Sequence, residues 1–247
     1  MKIVLILLLL LIMSPFIYVM SPLIFILVIV GIFLKRKAII SEYNKSDYKR
    51  VSGVSYEEMK YNKGYTGEYK LFNELNKIET PILTNVYIPK SDGETTEIDI
   101  VLIHGTGIYV FENKNYSGTI YGMEKSKQWT QYIKSKPYKF LNPIIQNKYH
   151  IKHLKEYLQI EDDNVFKSII VFDDKCNTDK INIENKDIVF IKSSEAMITI
   201  YKLLRHGEMV ITGEQLKDIY SKLEKHTKVS EDIKNNHIKY LKEKQSS

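Results

Sequence analysis

The sequence has almost nothing with which to cross-link itself: a single cysteine, Cys176, in 247 residues. Exported domains of this size more often carry paired cysteines, so a disulfide framework is excluded and a reducing compartment is expected. Tryptophan is as scarce, with Trp129 alone. No Gly-rich Walker-type loop is visible, so nothing points to ATP use. The histidines fall in no metal-ligand spacing: His150 and His153 share a helical stretch without a third ligand, and they, with His104, are expected to be solvated or packed. Internal repeats and low-complexity tracts are missing too.

Charge is missing at the N-terminus. Across residues 3–34 no side chain is charged, and most are Leu, Ile, Val, Phe or Met. About 20 apolar residues cross a bilayer core, so this run is long enough to span with tilt or to hold a broken segment. A cleaved signal peptide would show a shorter apolar centre and a small-x-small site, and neither is present. Pro15 and Pro22, each after a serine, remove backbone donors. A kinked single span is the primary expectation, with a tight hairpin of 3–13 and 23–34 as the alternative. Lys35-Arg36-Lys37 follows the run and only Lys2 precedes it, which puts the remainder on the cytoplasmic side in either case. The expectation is a single-pass cell-membrane protein whose N-terminal helix has the lipid bilayer as its partner.

The net charge of +6 suits a polyanionic partner, nucleic acid or anionic lipid. Joint richness in Lys, Ile, Asn and Tyr also follows from AT-rich coding sequence, and Lys and Glu are interspersed, so the charge alone decides nothing. Residues 38–63 are polar, without a sustained apolar period, and read as a partly helical juxtamembrane connector. Tyr69, Phe72, Leu75 and Ile78 then recur at helical spacing over 66–78, and Pro81 ends that helix. Strand-like runs follow at 82–88, 95–103 and 108–114, with turn signals between them, and a short one at 119–121. A polar loop holds Trp129 and Pro137, with the tryptophan read as a core anchor in preference to a base-stacking ring. Asn142-Pro143 caps a second long helix. Strands at 167–172 and 187–191, helices at 194–204 and 212–225, and a frayed Lys-rich tail at 229–247 complete a mixed α/β order with one central sheet.

Chemistry is concentrated in Asp99, Glu112 and Lys114. Glu112 and Lys114 are two apart on one strand, so they leave the same face. An even-numbered loop at 104–107 sets Asp99 across from Glu112, with Cβ atoms roughly 4.5–5.5 Å apart, whereas an odd loop sends one of them to the other face. Val101, Ile103, Ile108 and Val110 make the remainder of that face apolar, so the charges end a buried stripe. Two carboxylates held that close repel unless a cation lies between them, and hard oxygen ligands suit Mg²⁺ or Mn²⁺. A metal that activates water, beside an ammonium that stabilises developing charge, is what phosphodiester hydrolysis requires. The alternative is an ordinary charged strand face whose Glu112–Lys114 pair is worth little.

Gly67-Glu68, Glu97-Ile98-Asp99, the block Gly107-Ile108-Tyr109-Val110-Phe111-Glu112-Asn113-Lys114, Gly118, Gly122 and Trp129 together resemble the NERD (nuclease-related) domain of the PD-(D/E)xK phosphodiesterase superfamily. The similarity covers residues 64–174, a little under half of the chain. It implies a restriction-endonuclease-like α/β fold, a mixed central sheet flanked by helices, here preceded by the N-terminal transmembrane helix. The implied division is an anchor at 1–36, a linker at 37–63, a nuclease-like domain at 64–178 and an α/β extension with its tail at 179–247. It further implies that Asp99, Glu112 and Lys114 are the catalytic set. Glu68 would complete a metal site with Asp99 and Glu112, or hold a bound water, and Gln146 would touch substrate or order the site. A tyrosine often follows that glutamine by four, but His150 stands there and the tyrosine is Tyr149. The resulting expectation is a Mg²⁺- or Mn²⁺-dependent nuclease acting on DNA, and on RNA as a further substrate, at the inner face of the membrane. The competing expectations are a non-catalytic module that holds nucleic acid or a protein partner, and a lipid-reading surface in the Lys-rich tail.

Overall fold

Long apolar runs and alternating runs build two different sheets in this chain. The computed structural model describes the backbone of residues 2–246 and the side chains of residues 22 and 24–243. The chain forms two compact units, Met1–Ser46 and Asp47–Ser247. The first is one helix, α1 (Lys2–Asn44), which continues through Pro15 and Pro22 without a hairpin turn. The anchor expected over 3–34 falls mostly on positions whose side chains lie outside the described residues. Among the described residues no helix is long and apolar enough to cross a membrane.

The second unit opens with α2 (Asp47–Ser52), α3 (Tyr56–Tyr61) and α4 (Lys63–Asn76). Residues 47–63 are therefore structured: Tyr48, Val51, Val54 and Met59 are buried, and Tyr48 meets the rings of Tyr69 and Phe72 edge-on. Next come β1 (Ile82–Pro89), β2 (Thr95–His104), β3 (Gly107–Lys114), β4 (Gly118–Met123), β5 (Gln128–Ile133), β6 (Lys136–Leu141), α5 (Pro143–Leu158), β7 (Phe166–Phe172), β8 (Cys176–Asn182) and β9 (Ile188–Lys192). The chain ends with α6 (Ala196–His206), α7 (Gly213–Glu224) and α8 (Glu231–Ser246).

The larger sheet runs β1-β2-β3-β7-β9. Its first three strands are antiparallel, and β7 and β9 are parallel additions. Strands covered on both faces need continuous apolar sequence, and Ile169, Ile170, Val171 and Phe172 in β7 are all fully buried. The β2–β3 hairpin pairs His104 with Gly107 and Ile100 with Phe111, the register of an even loop. Helix α5 lies on the face of Val110, Glu112 and Lys114: the Asn147 amide donates to Val110 O and Ser168 Oγ, both at 2.9 Å. Gly67 of α4 meets β3 at Asn113, where a Cβ would come within 2.9 Å of the Asn113 Nδ2.

A single central sheet was expected, and a second one is present, ordered β6-β5-β4-β8. The polar loop around Trp129 is the β5–β6 hairpin, and its turn explains why it is hard to read. Lys134 and Ser135 take φ of 47° and 66°, conformations that hairpin turns usually fill with Asn or Gly. One face of this sheet packs inward through Ile120 and Trp129 onto Phe172. Trp129 is the expected core anchor: it stacks on Phe172 at 6.2 Å, and its Nε1 donates to Met123 O at 2.9 Å. Gly122 is required beneath it, since a Cβ there would come 2.3 Å from the indole. Asn142 ties this sheet to α5. Its Oδ1 accepts from Ile144 N at 2.9 Å as the helix cap, and its Nδ2 donates to Glu124 O and Ser126 O, both at 2.8 Å.

The tail expected to fray is helix α8, held at its centre. His237 is buried, its Nδ1 donates to Thr95 O at 3.1 Å, and Lys90 sits 4.2 Å over the Tyr240 ring. A few anchors on an otherwise Lys-rich segment replace the apolar stripe that a periodicity search looks for.

Candidate active site

Strand β2 leaves its β3 partner just past the Ile100–Phe111 pair, and Asp99 sits at that opening. Its Oδ2 accepts from the backbone N–H of Asn113 at 2.8 Å, which fixes the carboxyl beside the next residue of β3, Glu112. Glu112 is only 1% exposed. Its two oxygens are both engaged, with Lys114 Nζ at 2.6 Å and with His150 Nε2 at 3.2 Å. The network continues outward at both ends. Lys114 Nζ donates to Gln146 Oε1 at 3.0 Å, and His150 Nδ1 meets Thr96 Oγ1 at 2.8 Å. Gln146 and His150 are one helical turn apart on α5, so a single helix face supplies both.

The electrostatics divide the acids. Burial and then the Glu112 charge push the Asp99 carboxyl well above the ordinary range. Burial works the same way on Glu112, yet Lys114 and His150 together outweigh it and hold that carboxyl low. Burial works to lower the Lys114 ammonium, and Glu112, Tyr116 and Asp99 together outweigh it. The pair is thus ionised, a salt bridge kept from water.

Glu68 enters from α4. It is buried, and its Oε2 has no hydrogen-bond partner. Burial, then the charges of Asp99 and Glu97, raise its carboxyl well above the ordinary range. Asn85 works against that rise from β1. Asn85 interrupts the β1–β2 ladder between Thr84 and Val86 and holds a φ of 52°, a strained conformation for a side-chain-bearing residue. Its Oδ1 is likewise buried without a partner.

The five residues expected at the site occupy it unequally. Asp99, Glu112, Lys114 and Gln146 form one contiguous group. Glu68 is coupled to it through the Asp99 charge. His150, expected to be merely solvated or packed, is packed against Glu112 itself, while Tyr149 is 58% exposed. The spacing of four from Gln146 was the legible signal. Nothing in the sequence marks Asn85, because a left-handed residue at an unpaired position within a strand of unbroken register has no residue signature here.

Among the described residues no three His, Cys, Asp or Glu side chains gather as a ready-made metal site, and the two Glu112 oxygens are engaged by Lys114 and His150. The donor chemistry nevertheless fits a hard divalent ion: all the acids are oxygen ligands, Glu112 raises the proton affinity of Asp99 and Asp99 that of Glu68, and a buried Glu68 oxygen is left without a partner.

Comparison with known proteins places this geometry in a family. The family model for the nuclease-related domain, NERD, matches residues 63–173. An uncharacterized protein of Bacillus anthracis is 34% identical over 187 residues, an alignment that covers 74% of this chain and 85% of the relative. This chain belongs to the NERD family. The NERD match spans α4 through β7 and so contains all five residues above, together with Asn85 and His150. Among solved structures, Can2 from Sulfobacillus thermosulfidooxidans in complex with cyclic tetra-adenylate aligns at 15% identity and a TM-score of 0.30, over 58% of this chain and 38% of that one. A likeness that weak carries no argument about the NERD site.

Proposed function

We propose that this NERD protein is a nuclease that hydrolyses phosphodiester bonds of DNA, and of RNA as a further substrate, with Mg²⁺ or Mn²⁺ and from the cytoplasmic face of a membrane. The observation that carries the reading is the convergence of Asp99, Glu112 and Lys114 where β2 and β3 part, near the buried Glu68, whose Oε2 has no hydrogen-bond partner. Asp99, Glu112 and Glu68 would hold the ion, which supplies Lewis acidity and an activated water when bound. Lys114 is oriented by Glu112 and Gln146, so its ammonium is available to a phosphoryl oxygen at low reorganisation cost. His150, between Thr96 and Glu112, keeps the Glu112 carboxylate ionised. The tether is the apolar run at 3–34, and the basic Lys35-Arg36-Lys37 flank sets its orientation. The test is cleavage of DNA by the full chain in detergent with Mg²⁺ or Mn²⁺. Cleavage is expected to vanish with EDTA and in Asp99→Ala and Glu112→Ala variants that still fold; activity persisting in both variants contradicts the reading.

One observation favours a second reading. Both Glu112 oxygens are engaged by Lys114 and His150, as they would be in a fold that binds nucleic acid or a protein partner without turnover. That module would bind in a salt-sensitive, metal-independent way and cleave nothing under any metal.

A further inference from the structure

The smaller sheet has one face packed on the core and one open face whose chemistry the catalytic group does not use. Residues directly across from each other share a face. Tyr121 pairs with Thr130, Thr130 with Lys139, Thr119 with Tyr132, and Tyr121 with Lys180 across β8. Ile120 and Trp129 point the other way, into the core. The open face therefore carries Tyr121 and Tyr132, 46% and 39% exposed, with their rings edge to face at 5.1 Å. Exposed lysines 139 and 180 flank them, and no paired position on this face is acidic. Lys134 and Lys136 add charge at the hairpin end, where Lys134 is held in the left-handed region at φ 47°.

The sheet is also anchored to the site at both ends. Strand β4 starts just past Lys114, and the segment that closes β6 leads through the Asn142 cap into Gln146, which hydrogen-bonds Lys114 at 3.0 Å. Both ends of the sheet are thus joined by short segments to residues of the site.

We infer that the open face of the smaller sheet, centred on Tyr121 and Tyr132 and flanked by Lys139 and Lys180, binds single-stranded nucleic acid and presents it to the neighbouring site. The inference deepens the nuclease reading and rests on it for the position of the substrate. Exposed rings reward unpaired bases, because every base has a face to stack and a duplex hides those faces, while lysines neutralise the phosphates between them. Charge complementarity favours this occupant, since the paired positions of the face carry Lys139 and Lys180 and no carboxylate, with Asp179 at the β8 irregularity beside them.

The test uses the full chain in detergent with EDTA present, so that no cleavage interferes, and measures fluorescence anisotropy with a labelled oligothymidylate and with a duplex of the same length. The wild type is expected to prefer the single strand. The Tyr121→Ala/Tyr132→Ala double variant is expected to lose about tenfold or more of that affinity, and Tyr121→Phe/Tyr132→Phe to retain it, since stacking needs the ring and not the hydroxyl. Equal affinity for duplex and single strand, or no loss in the alanine variant, overturns the proposal. So does a loss of binding to phosphatidylserine vesicles with single-strand affinity unchanged, which would assign the face to lipid. Hydrolysis of bis(p-nitrophenyl) phosphate, which offers no base to stack, separates this inference from the one beneath it. The alanine variant is expected to keep wild-type hydrolysis of that ester with Mn²⁺. A wild type that binds single strands through the two tyrosines yet never cleaves the ester supports the face and contradicts the nuclease reading.

Discussion

The two sheets of this NERD protein solve opposite problems. The larger one buries both faces of its central strands and concentrates polar groups at one end, where Asp99, Glu112 and Lys114 meet. The smaller one buries a single face and leaves tyrosines and lysines open along the other. The contrast shows how a chain divides labour: rigid, two-sided burial holds a few charges at fixed distances, and one-sided burial presents a broad, adaptable surface. Charges in the first region are coupled, so removing one is felt by the rest. Side chains on the open face of the second act more nearly alone.

The largest effect expected is on turnover. Asp99→Asn keeps the size of the side chain and removes its charge, and cleavage is expected to fall by about 10³-fold or more in a single-turnover assay. Glu112→Ala is expected to cost stability as well, about 3–5 kcal/mol by urea unfolding, because it leaves the Lys114 ammonium without its buried counter-ion. No substitution on the open face of the smaller sheet should approach either figure.

Gly122→Ala sharpens the contrast from the other side. The added methyl meets the Trp129 ring, so the smaller sheet should lose about 1–3 kcal/mol of local stability. Amide exchange is expected to accelerate in β4, β5 and β6 and to stay slow in β2, β3 and β7. Uniform acceleration would mean that the two sheets fold as one unit.

The acids of the candidate site give the larger sheet and α4 a pH dependence of opposing signs. Glu68 and Asp99 have folded proton affinities raised above their ordinary values of 4.5 and 3.8. Their contribution to stability is full below those values and is lost as pH rises through the raised folded ones. Glu112 is held below 4.5 by Lys114 and His150, so its contribution is present above 4.5 and lost as pH falls further. Metal-free protein should therefore melt at its highest temperature in mildly acidic buffer and at lower temperatures as pH rises. Glu68→Gln should flatten that decline, and an unchanged decline in this variant would remove Glu68 from the coupled group. The smallest effect is expected at Tyr149, whose exposed ring should tolerate Tyr149→Ala within about 0.5 kcal/mol, in contrast to His150→Ala one residue on.

Much of the larger sheet was legible because its signals are local. Apolar runs, Pro81 and the Asn142-Pro143 cap mark its elements, and the even loop at 104–107 sets the register that brings Asp99 to Glu112. What stayed hidden depends on contacts between distant residues. The β5–β6 hairpin turns at Lys134-Ser135 without the residues that announce such turns, and only Trp129 and Phe140 point inward from it. Strand β8 exists because β4 offers an edge, since its sequence, Cys-Asn-Thr-Asp-Lys-Ile-Asn, has no strand pattern of its own. At the site, the charged trio was readable from spacing and resemblance. The Glu112–His150–Thr96 chain was not, because it needs α5 docked on the sheet, and the left-handed Asn85 sits within a strand whose pairing keeps its register on either side.

The most direct test of the central claim is calorimetric titration of Mn²⁺ into the metal-free full chain in detergent, comparing the wild type with Asp99→Asn. Saturable binding is expected in the wild type, and the substitution is expected to abolish it. Binding of equal strength in both proteins, or in neither, would contradict that claim.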